Sequence, residues 1–158
     1  MSGSAPVVAR TPGGISSTFT ANILNGAPAI FRTGQAGDQG GLATVIRVKN
    51  NQLVTFTNPI HPSEYLSIYL TGLGQTSPQA PLGDAAPFDP LAFANNPPTV
   101  FLGGAQLAVT YAGLAPGAVG VYLINAFVPS GVANAAQTPL VVSQGPSSTS
   151  IQVRVVNP

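Results

Sequence analysis

The feature that most limits this chain is its punctuation. Gly and Pro, 18 and 16 of 158 residues, close one apolar run after another before a helix can take hold. The runs between them alternate. EYLSIYLTG (64–72) and TSIQVRVV (149–156) carry an aliphatic side chain at every second position, the period of a strand with one buried face. No capping box precedes an apolar run of 3.6-residue period. The chain is expected to be all-β.

Turn chemistry sets the strand count. PVVART (6–11) and SSTFTANIL (16–24) flank PGGI, a Gly-bearing tight turn. LATVIRVK (42–49) and QLVTFT (52–57) flank Asn50-Asn51, which reads as a two-residue hairpin turn because Asn tolerates the left-handed region. TVFLGG and AQLAVTYAG (105–113) meet at Gly103-Gly104, and TPLVVSQ (138–144) meets TSIQVRVV at Gly145-Pro146. VGVYLINAFV (119–128) reads as a long central strand. About ten strands with turns at short, regular spacing predict an antiparallel β-sandwich.

Two connections are long: the Gly-rich RTGQAGDQGG (32–41) and the Pro-rich stretch 75–98, whose Phe88 and Phe93 are expected to pack it down. PVVARTPGGISST near the start echoes PLVVSQGPSST near the end. The chain thus opens with a ribbon built like its own closing hairpin. Residues 1–26 are read as an N-terminal extension able to donate a strand, and 27–158 as the sandwich.

Charge narrows the function. Only 6% of residues are charged, against about 25% in an ordinary soluble domain. Much of the surface is therefore expected to be covered, by neighbouring subunits or by sugar. The five bases, Arg10, Arg32, Arg47, Lys49 and Arg154, are scattered, so no nucleic-acid footprint forms. Cysteine is absent, which removes disulfides, thiolate nucleophiles and Cys-based zinc sites. The first residues, MSGSAPVVAR, do not read as a leader peptide, and no apolar run is long enough for a membrane-spanning helix.

A set of motifs in fixed order resembles a known family. They are TGLG at 71–74, the Gly103-Gly104 hairpin, YAGLAPG at 111–117, GVYLIN at 120–125 and VPSG at 128–131. Together they resemble the Solibacter-type uncharacterised C-terminal domain family of bacterial secreted and cell-surface proteins, over about residues 5–156. Leu123 departs from the pattern, standing where that family usually has Gln. The resemblance implies an extracellular, immunoglobulin-like β-sandwich with no catalytic residues to carry over.

Candidate chemical sites are few. His61 and Glu64 in NPIHPSE have only Asp38, Asp84 and Asp89 as further acids, too few for a metal set or an acid–base couple, and His61 reads as part of a surface turn. Asp84 and Asp89 fall short of the oxygen count a calcium site takes. The Gly-rich 34–41 loop lacks the Lys-Ser/Thr of a phosphate-binding loop. No G-x-S-x-G elbow supports a serine nucleophile. An isopeptide from Lys49 assisted by Glu64 is a weaker reading. No N-x-S/T sequon occurs, which leaves Ser/Thr-linked glycan as the sugar to consider.

The expectation is a non-catalytic structural protein, extracellular or at the cell surface, with no cofactor and no metal. It would polymerise with copies of itself, head to tail, into a fibre or surface layer. Pro6, Val7, Val8, Ala9, Arg10 and Thr11 are the assembly residues read from sequence, as a strand donated to a neighbour's sheet. The alternative is a monomeric surface module that binds glycan or a protein partner through its loops.

Overall fold

A computed structural model describes residues 3–34, 40–81 and 83–157. It is all-β, with two sheets packed face to face and a separate N-terminal ribbon.

The ribbon comes first. β1 (Gly3–Val7) pairs antiparallel with β4 (Phe19–Ile23), and β2 (Arg10–Thr11) with β3 (Gly14–Ile15) across the expected turn.

The larger sheet follows. Its order is β7 (Gln52–Leu53), β6 (Val45–Arg47), β8 (Tyr65–Thr71), β14 (Tyr122–Phe127), β13 (Ala108–Leu114), β10 (Phe93–Ala94) and β9 (Thr76–Ser77), with β5 (Ala29–Ile30) also on β8. VGVYLINAFV is central as its apolar character demanded: β14 lies between β8 and β13.

The smaller sheet runs β12 (Ala105–Gln106), β11 (Thr99–Leu102), β15 (Ala135–Gln144) and β16 (Ser147–Val155). Val45, Leu66, Ile68, Leu70, Ile124 and Ala126 from one sheet meet Val100, Leu102, Leu140, Val142, Ile151 and Val153 from the other in one continuous core. The period-2 pattern forces this, because alternate residues of each strand must leave water on the same side.

Three local expectations change. The turn between β6 and β7 spans residues 48–51 rather than two residues, although Asn51 does take a left-handed φ of 52°. The run 105–113 is not one strand: it divides at buried Leu107, β12 staying on the smaller sheet while β13 joins the larger. The long 75–98 stretch holds a strand pair of its own, β9 with β10. Alanines seat it together with Phe93. Ala86 and Ala92 are buried, Ala86 exchanges backbone hydrogen bonds with Gly117 and Ala118, and Phe93 sets its ring edge-on against buried Tyr111, whereas Phe88 is exposed.

Candidate assembly interface

The ribbon has two unlike faces. Residues directly opposite in an antiparallel pair share a face, so the register sorts every side chain. Gly3 faces Ile23, Ala5 faces Ala21 and Val7 faces Phe19, which makes one face apolar. Ser4 faces Asn22 and Pro6 faces Thr20, which makes the other largely polar. A strand pair with this pattern normally rests its apolar face on a core. Here that face is open: Val7 is 50% exposed, Phe19 69% and Ile23 48%. Val8 and Ile15 are exposed as well.

Pro6 to Thr11, read from sequence as the assembly residues, all lie on exposed positions of the first arm. The return arm lies within the 1–26 extension read from sequence but outside those six residues. Its signal is present in SSTFTANIL, where Phe19, Ala21 and Ile23 alternate with Thr20 and Asn22.

The ribbon's root is fixed where its tip is not. Ala27 N–H donates to the Gly72 carbonyl at 2.8 Å. Gly72 and Gly74 of the TGLG turn have φ of 83° and 77°, and a Cβ on either would stand 2.0 Å from the carbonyl oxygen of Ala27 or Asn25. The turn therefore needs glycine twice, for conformation and for close approach. Gln144 completes the seat. Its Nε2 donates to the Leu73 carbonyl at 3.1 Å and to that of Asn96, and its Oε1 lies against Gly26, 1.7 Å from where a Cβ would be. Leu24 to Gly26 border a cleft of about 490 Å³ shared with Asn96, Pro97 and Gln144 to Pro146. The ribbon thus leaves the sandwich beside the β15–β16 turn.

A second apolar feature lies along the open side of the sandwich. Leu42, Ala43, Val54, Thr55 and Phe56 face Gln152, Val153 and Arg154 across a groove of about 210 Å³, smaller than the ~300 Å³ at which pockets begin to enclose small ligands. Phe56 stands at its rim, 66% exposed, under the Arg154 guanidinium at 4.0 Å.

The chemical candidates resolve into structure. Both Glu64 carboxylate oxygens accept from Arg47, at 2.8 and 2.7 Å, in a buried ion pair. Arg47 also donates to Asn58 at 2.7 Å, and the His61 backbone N–H donates to Glu64 at 2.8 Å. His61 is half-buried rather than on the surface, and its Nδ1 lies 2.5 Å from the Val156 carbonyl, which requires a proton on that nitrogen. Lys49 sits in the exposed turn after β6, while Glu64 is fully engaged by Arg47, an arrangement that ties sheet to loop rather than activating an amine. Asp84 and Asp89 are exposed, and Asp38 lies outside the described residues. Among the described residues, no three His, Cys, Asp or Glu side chains gather as a metal site. No helix there is long and apolar enough to cross a membrane.

Comparison with family models, curated proteins and solved structures finds no match to this chain.

Proposed function

We propose that this chain is a self-assembling, non-catalytic structural subunit of a fibre or surface layer, each copy presenting its N-terminal ribbon to the next. The observation that carries this is the ribbon's apolar face, on which Val7, Phe19 and Ile23 stand exposed around half-buried Ala5 and Ala21. Val7, Phe19 and Ile23 are already about half covered, so burying the remainder is worth about 2.5–5 kcal/mol at ~1.5–3 kcal/mol per fully exposed side chain. Association itself costs ~4–15 kcal/mol, so apolar burial needs main-chain pairing beside it to hold two copies together. Low charge supports the same reading, since a chain with only 6% charged residues carries little repulsion between copies. The motif order resembling the Solibacter-type domain supports an immunoglobulin-like relationship and an extracellular or cell-surface location. Ser/Thr-linked glycan remains compatible with the serine-rich β16.

A glycan-binding module would stack sugars on flat aromatic surface. The ring pairs Tyr65–Phe127 and Phe93–Tyr111 cross at 58° and 64°, so neither pair forms a flat platform.

The test is negative-stain electron microscopy of the intact chain near neutral pH, with light scattering on the same sample. Regular fibres are expected, and loss of fibres from a chain lacking residues 1–12 while circular dichroism stays β-rich. Fibres that persist after that deletion overturn donation by the first arm, and fibres that persist in a chain lacking residues 1–24 overturn ribbon-mediated assembly.

A further inference from the structure

The ribbon has two outer edges, and they are chemically unequal. Pro6 has no N–H, and within a ladder its nitrogen must point away from the partner strand. Alternate residues of a strand point their N–H and C=O to opposite sides. Gly3, Ala5 and Val7 therefore bond to β4, and β1 shows the solvent an edge interrupted at Pro6. On β4 the same parity turns the N–H and C=O of Thr20 and Asn22 outward, on a strand with no proline. One edge is blunted and the other is competent to pair.

The sandwich has a matching vacancy. β9, β7 and β12 are edge strands of two residues each, whereas β16 is an edge strand of nine. Its far end is occupied: Ile60 donates to the Arg154 carbonyl and accepts from Val156 N–H, both at 2.9 Å. That contact fixes which residues of β16 point outward. By parity they are Ser148, Ser150 and Gln152, whose side chains are exposed while Ile151 and Val153 face the core. From Ser148 to Gln152 this edge is bonded to no further strand, although β5 passes close beside β16, and it ends at the groove lined by Leu42, Val54 and Phe56. It is five residues long, as is β4.

We infer that β4 of one copy adds to the free edge of β16 of the next, Thr20 and Asn22 pairing main chain to main chain with Ser148, Ser150 and Gln152. This rests on the assembly reading above and names the strand and the acceptor. Phe19, Ala21 and Ile23 then turn inward, toward β5 and the groove that opens past Gln152. Thr20 and Asn22 turn outward, in line with the serines of β16. The residues nearest the tip, Val8 to Ile15, extend the ribbon beyond the contact. The donated strand is therefore the return arm, with β1 stiffening it from the far side.

Because the chain has no cysteine, disulfide trapping reads the contact directly. Full-length Thr20→Cys chains are mixed with Ser148→Cys, Ser150→Cys or Gln152→Cys chains under mild oxidation. The expected result is an interchain disulfide with at least one of the three, and none when Ser4→Cys, on the same face of β1, replaces Thr20→Cys. A second variant, Thr20→Pro, removes one outward N–H without touching the β1 ladder and is expected to raise the critical concentration for assembly about tenfold. Fibres that form with no β16 disulfide overturn the acceptor while leaving ribbon-mediated assembly standing. Trapping through Ser4→Cys in place of Thr20→Cys overturns the choice of arm. A disulfide that forms only within a chain carrying both cysteines means that the ribbon folds back on its own β16, and overturns the contact between copies. An intact chain that stays monomeric overturns both readings together.

Discussion

Arg47 and Glu64 give the sandwich an internal charge pair that neither sheet's pattern required. With both carboxylate oxygens on the guanidinium and Asn58 beside it, the pair is satisfied, and its removal is asymmetric in cost. Arg47→Met alone is expected to cost about 3–5 kcal/mol, because Glu64 stays buried without its partner. At a urea slope of ~2 kcal/mol per M, the midpoint falls by about 2 M. The double variant Arg47→Met/Glu64→Leu is expected to recover most of that loss, and a double variant as unstable as the single one contradicts it. Two tyrosines set the alkaline limit. Burial raises Tyr111 and Tyr122 above the usual ~10, and their hydroxyls donate to the Leu114 and Gly74 carbonyls. An acid whose folded pKa is raised stabilises the fold fully below the unfolded value. That stability is lost as pH climbs through the folded pKa. Stability is therefore expected to fall above about pH 10, less steeply in Tyr122→Phe, as read from denaturation midpoints at stepped pH.

Elements were legible in the sequence wherever a local rule decided them. The strand at 65–71 follows from period-2 alternation, and the hairpins at Gly103-Gly104 and Gly145-Pro146 follow from turn chemistry. Sheet membership was not legible. AQLAVTYAG keeps an unbroken strand-like pattern through Leu107, and only packing against two partners divides it. Arg47 with Glu64 was equally hidden, since a pair 17 residues apart has no local signature. For the candidate interface, composition pointed to covered surface and the first arm to a donated strand. The face assignment needed the register of β1 against β4, which no single arm contains. That ribbon is also an element of low intrinsic stability, because a lone two-stranded hairpin is marginal in water. Amide hydrogens of Thr20 and Asn22 are expected to exchange rapidly in dilute monomer and to become protected on assembly, while those of β8 and β14 stay protected throughout. Unchanged exchange at residues 19–23 in the polymer excludes this ribbon from the contact.

At the scale of the whole molecule, donor and acceptor are different surfaces, so the contact is heterologous and does not close on itself unless a rotation happens to form a ring. The ribbon leaves beside the β15–β16 turn, and the acceptor edge runs from Ser148, next to that turn, to Gln152, opposite Pro139 and roughly 16 Å along β15 at ~3.3 Å per residue. Because the ribbon gives and the β16 edge receives, each copy is polar. Polarity has a consequence that a symmetric pairing of ribbons lacks. A Thr20→Pro chain keeps its acceptor edge but donates poorly. A Ser150→Pro chain keeps its ribbon but loses an outward N–H on β16, the β15 ladder being untouched by parity. Each alone is expected to remain a 15.9 kDa monomer at concentrations where the intact chain polymerises. Mixed in equal amounts, they are expected to give a one-to-one dimer and stop, since the only productive pairing leaves no working donor and no working acceptor. If ribbons instead paired with ribbons about a two-fold axis, Ser150→Pro would dimerise by itself and the mixture would add nothing. Light scattering behind size exclusion separates the two outcomes, and it reads the direction of assembly from chains that never form a fibre.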